Sequence, residues 1–464
     1  MKSQKRLPFL TSGTVHGEKA SVDNRTGTIF ALSSGALPSA IAVVRLSGPR
    51  VRFVLETMAG IVPEPRRAML RALKDPRDGA VLDEAVVLFF EGPASATGED
   101  VAEFHVHGGR AVVGAVLEAL GSFEGVRPAE AGEFSRRAFD NGKLDLTRVE
   151  GLADLIAAET EAQRRQALSQ LCGSFGDLVE GWRRRLIGLR ARIEAGLDFA
   201  EEEDVLASVT DADRAVLSDL RIGIETKLGE GRSGERLRDG LQVALMGPPN
   251  AGKSSLMNAL AKRDVAIVTE EAGTTRDVLE VHLDLSGYPV MLIDTAGLRE
   301  AEGIVEREGI RRALARGSDA DLVLWMEDAS GRRTGVPDGV VSAAGTVWPI
   351  ANKADLVGDG FDAGDDALAI SVKTGAGLDR LQEKLAAFAG EKFAGLGSAM
   401  ATRERHRAAL TACRDALVRA EAVGDAELMA EELRHAGDAL GRITGRIDVE
   451  DVLDVIFAEF CIGK

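Results

Sequence analysis

Gly247-Pro248-Pro249-Asn250-Ala251-Gly252-Lys253-Ser254 has the form G-x-x-x-x-G-K-S. Glycines let a backbone wrap around phosphate, and a row of N–H groups with a helix N-terminus binds the anion. Lys253 would reach the β- and γ-phosphates, and Ser254 would give a hydroxyl to Mg²⁺. Asp294-Thr295-Ala296-Gly297 follows. An Asp there can hold Mg²⁺ through water, and a Gly N–H can sense the γ-phosphate. Asn352-Lys353-Ala354-Asp355 comes next. A carboxylate such as Asp355 accepts two hydrogen bonds, and guanine offers N1–H and its 2-amino group side by side. Adenine has no such pair, so the segment selects GTP over ATP. Ser371-Val372-Lys373 stands where a last loop would back the base. Between the first two segments, Gly273-Thr274-Thr275-Arg276-Asp277 holds threonines that can bind Mg²⁺ while the γ-phosphate is present and swing away after hydrolysis.

These segments need strands that end where they begin. β-like runs at Leu241–Met246, Val281–Leu285, Val290–Ile293, Leu322–Trp325, Val347–Ile350 and Leu368–Val372 alternate with helical patterns, the order of a doubly wound α/β domain. On either side the pattern is helical. Leu144, Leu146, Val149, Leu152, Leu155 and Ile156 begin it, and no proline occurs from 129 to 247. It resumes after residue 400 with Leu410, Leu417, Leu428, Leu433, Leu440 and Ile443. The simplest arrangement is an α/β domain inserted into a helical bundle. Ahead of both, Ala40–Leu46, Glu84–Phe90 and Val101–His107 read as strands and Ala111–Leu120 as a helix, a small α+β domain with no phosphate loop. The expected layout is a disordered tail over 1–24, the α+β domain over 25–145, helices over 146–239, the α/β domain over 240–392 and helices again over 393–464.

Composition narrows the partners. The 464 residues carry 57 basic and 74 acidic side chains, a net charge of −17. A broad basic surface for nucleic acid is therefore excluded, though not a local patch. Aromatic residues are 4%, which disfavours base-stacking platforms. No run of about 18 apolar residues occurs, so no membrane contact is expected. Cys172, Cys413 and Cys461 are too few and too scattered for a disulfide framework, and a reducing, cytoplasmic setting is the default. Cys172 and Cys413 fall in apolar helical patterns and read as core. His105 and His107 share one strand face without a further ligand cluster.

Taken together, the motifs resemble the translation-factor-related class of GTPases and, within it, the bacterial tRNA modification GTPase MnmE (TrmE) family. The resemblance covers nearly everything after the tail. Its residues are Arg45-Leu46-Ser47-Gly48, Gly98–Glu103, His107-Gly108-Gly109 and Asn141–Leu146. They continue with Glu194–Phe199, the G-domain segments above including Asp294–Arg299, and the ending Phe460-Cys461-Ile462-Gly463-Lys464. One departure is the stretch Ser33–Ala40, where the family carries a glycine-rich Pro-Pro-Gly-Arg-Gly-Gly segment.

The resemblance implies an N-terminal folate-binding and dimerising domain, a helical domain and an inserted G domain. It implies a homodimer that works with the flavoprotein MnmG (GidA) in a heterotetramer. Together they would add an aminomethyl-type or carboxymethylaminomethyl group to C5 of the wobble uridine of certain tRNAs. The one-carbon unit would come from 5-formyl- or methylene-tetrahydrofolate. GTP hydrolysis would need Mg²⁺ and K⁺ and would bring two G domains together. Carried over by motif, nucleotide contacts fall on Asn250, Ala251, Gly252, Lys253, Ser254 and Ser255. They fall also on Thr269, Glu270, Glu271, Ala272, Gly273, Thr274 and Thr275, on Asp294, Thr295, Ala296 and Gly297, and on Asn352, Lys353, Ala354 and Asp355. Mg²⁺ would sit on Ser254 and Thr275, and K⁺ on Asn250, Thr269, Glu271 and Thr274. Glu306 would orient the attacking water, because Leu298, at the place of the Ras-like glutamine, cannot. Arg45, Glu103, Lys143 and Lys464 match folate contacts, and the tail thiol Cys461 matches a catalytic position. The competing reading is a GTP-binding switch in ribosome assembly, disfavoured because no basic RNA-binding module such as KH is visible.

Overall fold

The computed structural model describes residues 27–198, 209–263, 265–267, 280–294, 320–331, 335–343, 345–357, 367–394, 397, 400–447, 453, 456, 457, 460 and 463. The expected tail lies outside these. The chain divides into two units, residues 1–143 with 457–464, and residues 144–456.

In the first unit, period-2 burial marks the strands. Val101, Ala102, Phe104 and Val106 are buried while Glu103 and His105 are half-buried. The strands are β1 (Thr28–Leu32), β2 (Ile41–Ser47), β3 (Met69–Lys74), β4 (Val81–Phe90), β5 (Val101–His107) and β6 (Val126–Pro128), in the sheet order β3-β4-β5-β2-β1-β6. Helices α1 (Val51–Ala59) and α2 (Arg110–Gly121) cover one face, and α3 (Glu133–Asp140) follows β6. Val54, Leu55, Met58, Val116 and Leu120 meet Val44, Leu46, Phe89 and Phe104 in one core. β1, β3, α1 and β6 are not among the expected elements, although α1 buries Val51, Val54, Leu55 and Met58 at helical spacing. The last residues of the chain join this unit. Ser33 Oγ donates to the Gly463 carbonyl at 2.7 Å, and a Cβ at Gly463 would stand 2.2 Å from the Leu32 carbonyl.

The second unit opens with α4 (Leu146–Ala157), α5 (Glu161–Leu171), α6 (Ser174–Asp198) and α7 (Asp211–Asp239). The long helical pattern is thus four helices, three of them begun by side-chain caps. Asp145 accepts the Arg148 N–H, and Thr160–Gln163 and Thr210–Asp213 form capping boxes. One expectation fails here. Cys172 is exposed, because α5 stops at Leu171 and the chain turns through Gly173 (φ +96°) instead of continuing the apolar stripe.

The chain then runs through β7 (Leu241–Met246), α8 (Lys253–Ala261), β8 (Glu280–Leu285), β9 (Tyr288–Asp294), β10 (Leu322–Asp328), α9 (Asp338–Ala343), β11 (Val347–Asn352), β12 (Leu368–Ala369) and α10 (Leu378–Phe393). The strand expected over Leu368–Val372 is shorter. After Ala369 the chain bends, and Ser371 N–H donates to the Ala376 carbonyl across a turn. The sheet order is β12-β11-β10-β7-β9-β8, parallel except for the antiparallel edge strand β8. Its central strands β7 and β10 are buried on both faces, so their sequences read as apolar runs. Helices α11 (Glu404–Ala422) and α12 (Ala426–Thr444) complete the unit. Phe175, Leu186, Leu189, Leu220 and Ile224 share a core with Leu410, Leu417, Leu433, Leu440 and Ile443, residues from both sides of the sheet-forming stretch.

Candidate functional site

The C-terminal edge of a parallel sheet is where ligands settle in doubly wound folds. Three segments singled out above meet there. β7 delivers the chain into residues 247–252, and α8 begins at Lys253. The loop threads a narrow space. A Cβ at Gly247 (φ +142°) would stand 2.1 Å from the Met326 carbonyl, and one at Gly252 (φ +98°) 2.2 Å from Asn352 Nδ2. Only glycine fits both places.

Lys253 is buried, and its Nζ donates to the carbonyls of Gly247 (2.9 Å) and Pro248 (3.0 Å). Burial lowers its pKa against the pull of Asp294. An ammonium held on two neutral carbonyls keeps its charge free for an anion in the loop. Ser254 Oγ donates to Asp294 Oδ2 at 2.8 Å, joining the first turn of α8 to the buried end of β9. A hydroxyl and a carboxylate are hard oxygen donors, the set that suits Mg²⁺. Ala251 is buried, while Asn250 and Ser255 are exposed.

Asn352, at the buried end of β11, bridges two loops. Its Nδ2 donates to the Ala251 carbonyl at 2.8 Å and its Oδ1 accepts the Val372 N–H at 3.2 Å. Asp355 Oδ1 accepts Ser371 Oγ at 2.6 Å. Lys353 turns the chain between them at φ +64°, and Ala354 starts a short 3₁₀ turn. The structure therefore brings together Ala251, Gly252, Lys253, Ser254, Asp294, Asn352, Lys353 and Asp355. Thr269, Glu270, Glu271, Ala272, Gly273, Thr274, Thr275, Thr295, Ala296, Gly297 and Glu306 lie outside the described residues. So do Cys461 and Lys464.

In the first unit, Arg45 and Glu103 face each other across β2 and β5, with Arg45 Nε donating to Glu103 Oε1 at 3.0 Å. The other carboxylate oxygen pairs with His105 Nε2 at 3.1 Å. Lys143 makes no hydrogen bond to this pair; its Nζ donates to the Pro93 carbonyl at 3.0 Å. His107 pairs with Asp83 instead of its strand neighbour. No group of three or more metal-ligating side chains occurs among the described residues. Nor is any helix among them long and apolar enough to cross a membrane.

Sequence reasoning passed over Asp328, the last residue of β10. Its Oδ2 accepts Lys353 Nζ at 2.6 Å and its Oδ1 accepts the Ser330 N–H and hydroxyl. Its position at the end of an apolar strand run was the available signal.

Comparison with known proteins covers most of the chain. Residues 28–143 match the model of the GTP-binding protein TrmE N-terminus, and residues 146–461 that of the MnmE helical domain. The tRNA modification GTPase MnmE of Parvibaculum lavamentivorans is 53% identical over 445 residues, covering 94% of this chain and 100% of that one. That of Rhodopseudomonas palustris strain HaA2 is 52% identical over 460 residues, covering 94% and 99%. That of Brucella anthropi is 53% identical over 439 residues, covering 94% and 98%. Among solved structures, the G domain of the T. maritima FeoB iron transporter aligns at 28% identity over 32% of this chain and 98% of that one, with a TM-score of 0.24. By the two domain models and by relatives matched over their full length, this chain belongs to the tRNA modification GTPase MnmE family.

Proposed function

We propose that this protein is a GTPase whose turnover serves modification of the wobble uridine in tRNA. The observation that carries the reading is the bridge made by Asn352 between the phosphate loop at Ala251 and the base-backing loop at Val372. That bridge would hold Asp355, read as the guanine-selective carboxylate, in fixed relation to Lys253, read as the phosphate-binding lysine. GTP would lie along that line, with Mg²⁺ held by Ser254 and by Asp294 through water. The metal would neutralise charge on the β- and γ-phosphates.

The finer reading follows the family resemblance. K⁺ held by Asn250, Thr269, Glu271 and Thr274 would complete the charge stabilisation when two G domains meet. Glu306 would orient the water, and Thr275 would complete the Mg²⁺ shell. The domain layout is the one given above, with the 240–392 domain inserted between helical segments 146–239 and 393–464. In the N-terminal domain, Arg45 suits a glutamate carboxylate and Glu103 suits the pterin N–H edge. Both Glu103 oxygens already accept one bond, and each keeps a lone pair for a folate. Lys143, Lys464 and Cys461 would join that site, and the folate would supply the one-carbon unit. A homodimer working with MnmG would place the group on C5 of uridine, with the flavoprotein supplying much of the tRNA contact for a chain of charge −17.

The test is nucleoside mass spectrometry of tRNA from a deletion strain rescued with wild type, Lys253→Ala, Glu306→Ala or Cys461→Ser. The reading expects the modified wobble uridine with wild type alone. Its presence in the unrescued strain would overturn the tRNA role and favour a ribosome-assembly switch.

A further inference from the structure

Lys353 is the member of the base loop whose charged end is tied to the neighbouring strand β10. A partly exposed lysine beside a base pocket would ordinarily sample many rotamers, and fixing it costs side-chain entropy. Here its Nζ sits 2.6 Å from Asp328 Oδ2, with both side chains about one-third exposed (34% and 32%). Asp328 is itself held from the other side. Its Oδ1 accepts the Ser330 N–H at 2.9 Å and the Ser330 hydroxyl at 2.7 Å, which fixes the carboxylate plane. The strands carrying the pair are in register, with Asp328 opposite Asn352, and the Ala329 N–H donates to the Asn352 carbonyl at 2.7 Å. Lys353 and then Ser330 hold the Asp328 carboxyl down at about 2, so it is ionised at any physiological pH.

We propose that Asp328 is a positioning residue for guanine nucleotide: by anchoring the Lys353 ammonium it lays the lysine stem as a fixed apolar surface beside the base. The proposal rests on the GTPase reading and names a residue of that same site. Three features support it. The tie leads to the end of β10, the strand between β11 and the phosphate-loop strand β7, and there the Asp328 carboxylate offsets the Lys353 charge. The left-handed turn at Lys353 sends Asn352 to the phosphate loop and Asp355 to Ser371, leaving the lysine stem to span the gap between β11 and β10. An exposed ion pair of this kind adds little to folding, so its use lies in geometry.

The experiment measures release of fluorescent GDP and steady-state GTP turnover on the full chain. The variants are Asp328→Asn, Lys353→Ala, the double variant and Ser330→Ala. Asp328→Asn should release GDP about tenfold faster and raise KM by a similar factor, with kcat and melting temperature near wild type. The double variant should be no worse than Lys353→Ala alone, because one substitution has already removed what the other acts on. Ser330→Ala should give a smaller change of the same sign. Unchanged GDP release in Asp328→Asn, or additive losses in the double variant, would overturn the proposal. Failure of the wild type to prefer GDP over ADP would instead overturn the guanine reading itself.

Discussion

Two clusters of charge in the second unit are built by opposite rules. At the candidate nucleotide site, Asp328, Lys353 and Asp355 stay partly or wholly open to solvent, and buried Lys253 rests on two neutral carbonyls. At the neck, where the chain leaves α7 for the sheet and returns into α11, they are sealed. Glu150 is fully buried and receives Arg405 through Nε (2.6 Å) and Nη2 (2.7 Å), with His406 Nε2 at 2.9 Å. Asp154 takes Arg238 from the last turn of α7 (3.2 Å) and Arg403 from the residue before α11 (2.8 Å). One carboxylate thus ties both crossings of the chain. The contrast separates two uses of charge. Sealed charge fixes how segments meet, because an unpaired member has no water to turn to, whereas open charge can exchange its partner for a ligand.

The largest expected effect breaks the sealed cluster. Glu150→Ala leaves Arg405 and His406 without their buried partner and should cost about 3–5 kcal/mol of unfolding free energy. Denaturant titration followed by circular dichroism would measure it. Loss of GTP turnover at full retained stability would contradict the assignment of this cluster to architecture. The counterpart at the open site is Lys253→Ala. It exposes two carbonyls that water can satisfy, so stability should change by no more than about 1 kcal/mol. Turnover, kcat/KM for GTP, should fall about 10²–10³-fold, the scale for removing one pre-placed charge donor. A loss of stability as large as that of Glu150→Ala would erase the distinction.

The two clusters also differ in how far the sequence discloses them. Phosphate and guanine binding need residue types at short fixed spacings. Gly247–Ser254 and Asn352–Asp355 are therefore readable as strings, and the loops they form do meet. The neck has no such string. Glu150 and His406 are 256 positions apart. Each sits in a helical pattern where a charged residue ordinarily signals a solvated face. Asp328 is hidden for a related reason, since its partner Lys353 lies just past the end of a different strand. Cys172 misled because apolar periodicity carries no record of where a helix stops, and the stop is set by Gly173. The strand expected through Val372 shows the same limit, for Ile370 is buried without belonging to the sheet.

A smaller effect sharpens the sealed side through pH. His406 Nδ1 accepts the Thr402 N–H at 3.3 Å, so the proton of a neutral ring lies on Nε2, facing Glu150. Burial pushes the imidazole pKa below its ordinary 6.5, against the pull of Glu150. Burial would raise the Glu150 carboxyl, yet His406 and Arg405 hold it well below the carboxylate range. Both folded-state values are depressed, so both contributions are full at neutral pH and are lost on acidification. As pH falls below 6.5, the unfolded imidazole takes a proton that the folded one refuses, and stability declines. The Glu150 share follows below 4.5. His406→Gln should keep a donor toward Glu150 and make the decline just below pH 6.5 shallower. Unfolding midpoints from pH 7.5 to 5 would report it, and an unchanged slope would mean that the fold leaves the His406 imidazole unshifted.

The smallest effect belongs to an ion pair at the rim of the sheet-bearing domain. Arg263 Nη1 contacts Asp379 Oδ1, but the Asp379 side chain is 84% exposed and Arg263 also has Gln382 Oε1 at 2.7 Å. In water the Coulomb gain is small, and holding two long side chains in one arrangement cancels much of it. Asp379→Ala should shift the unfolding free energy by no more than about 0.5 kcal/mol, and less still in high salt. The bond count resembles that of Asp154 at the neck, so the pair isolates solvent access as the variable. A cost near that of Glu150→Ala would mean that geometry, and not sealing from water, sets the worth of charge in this protein.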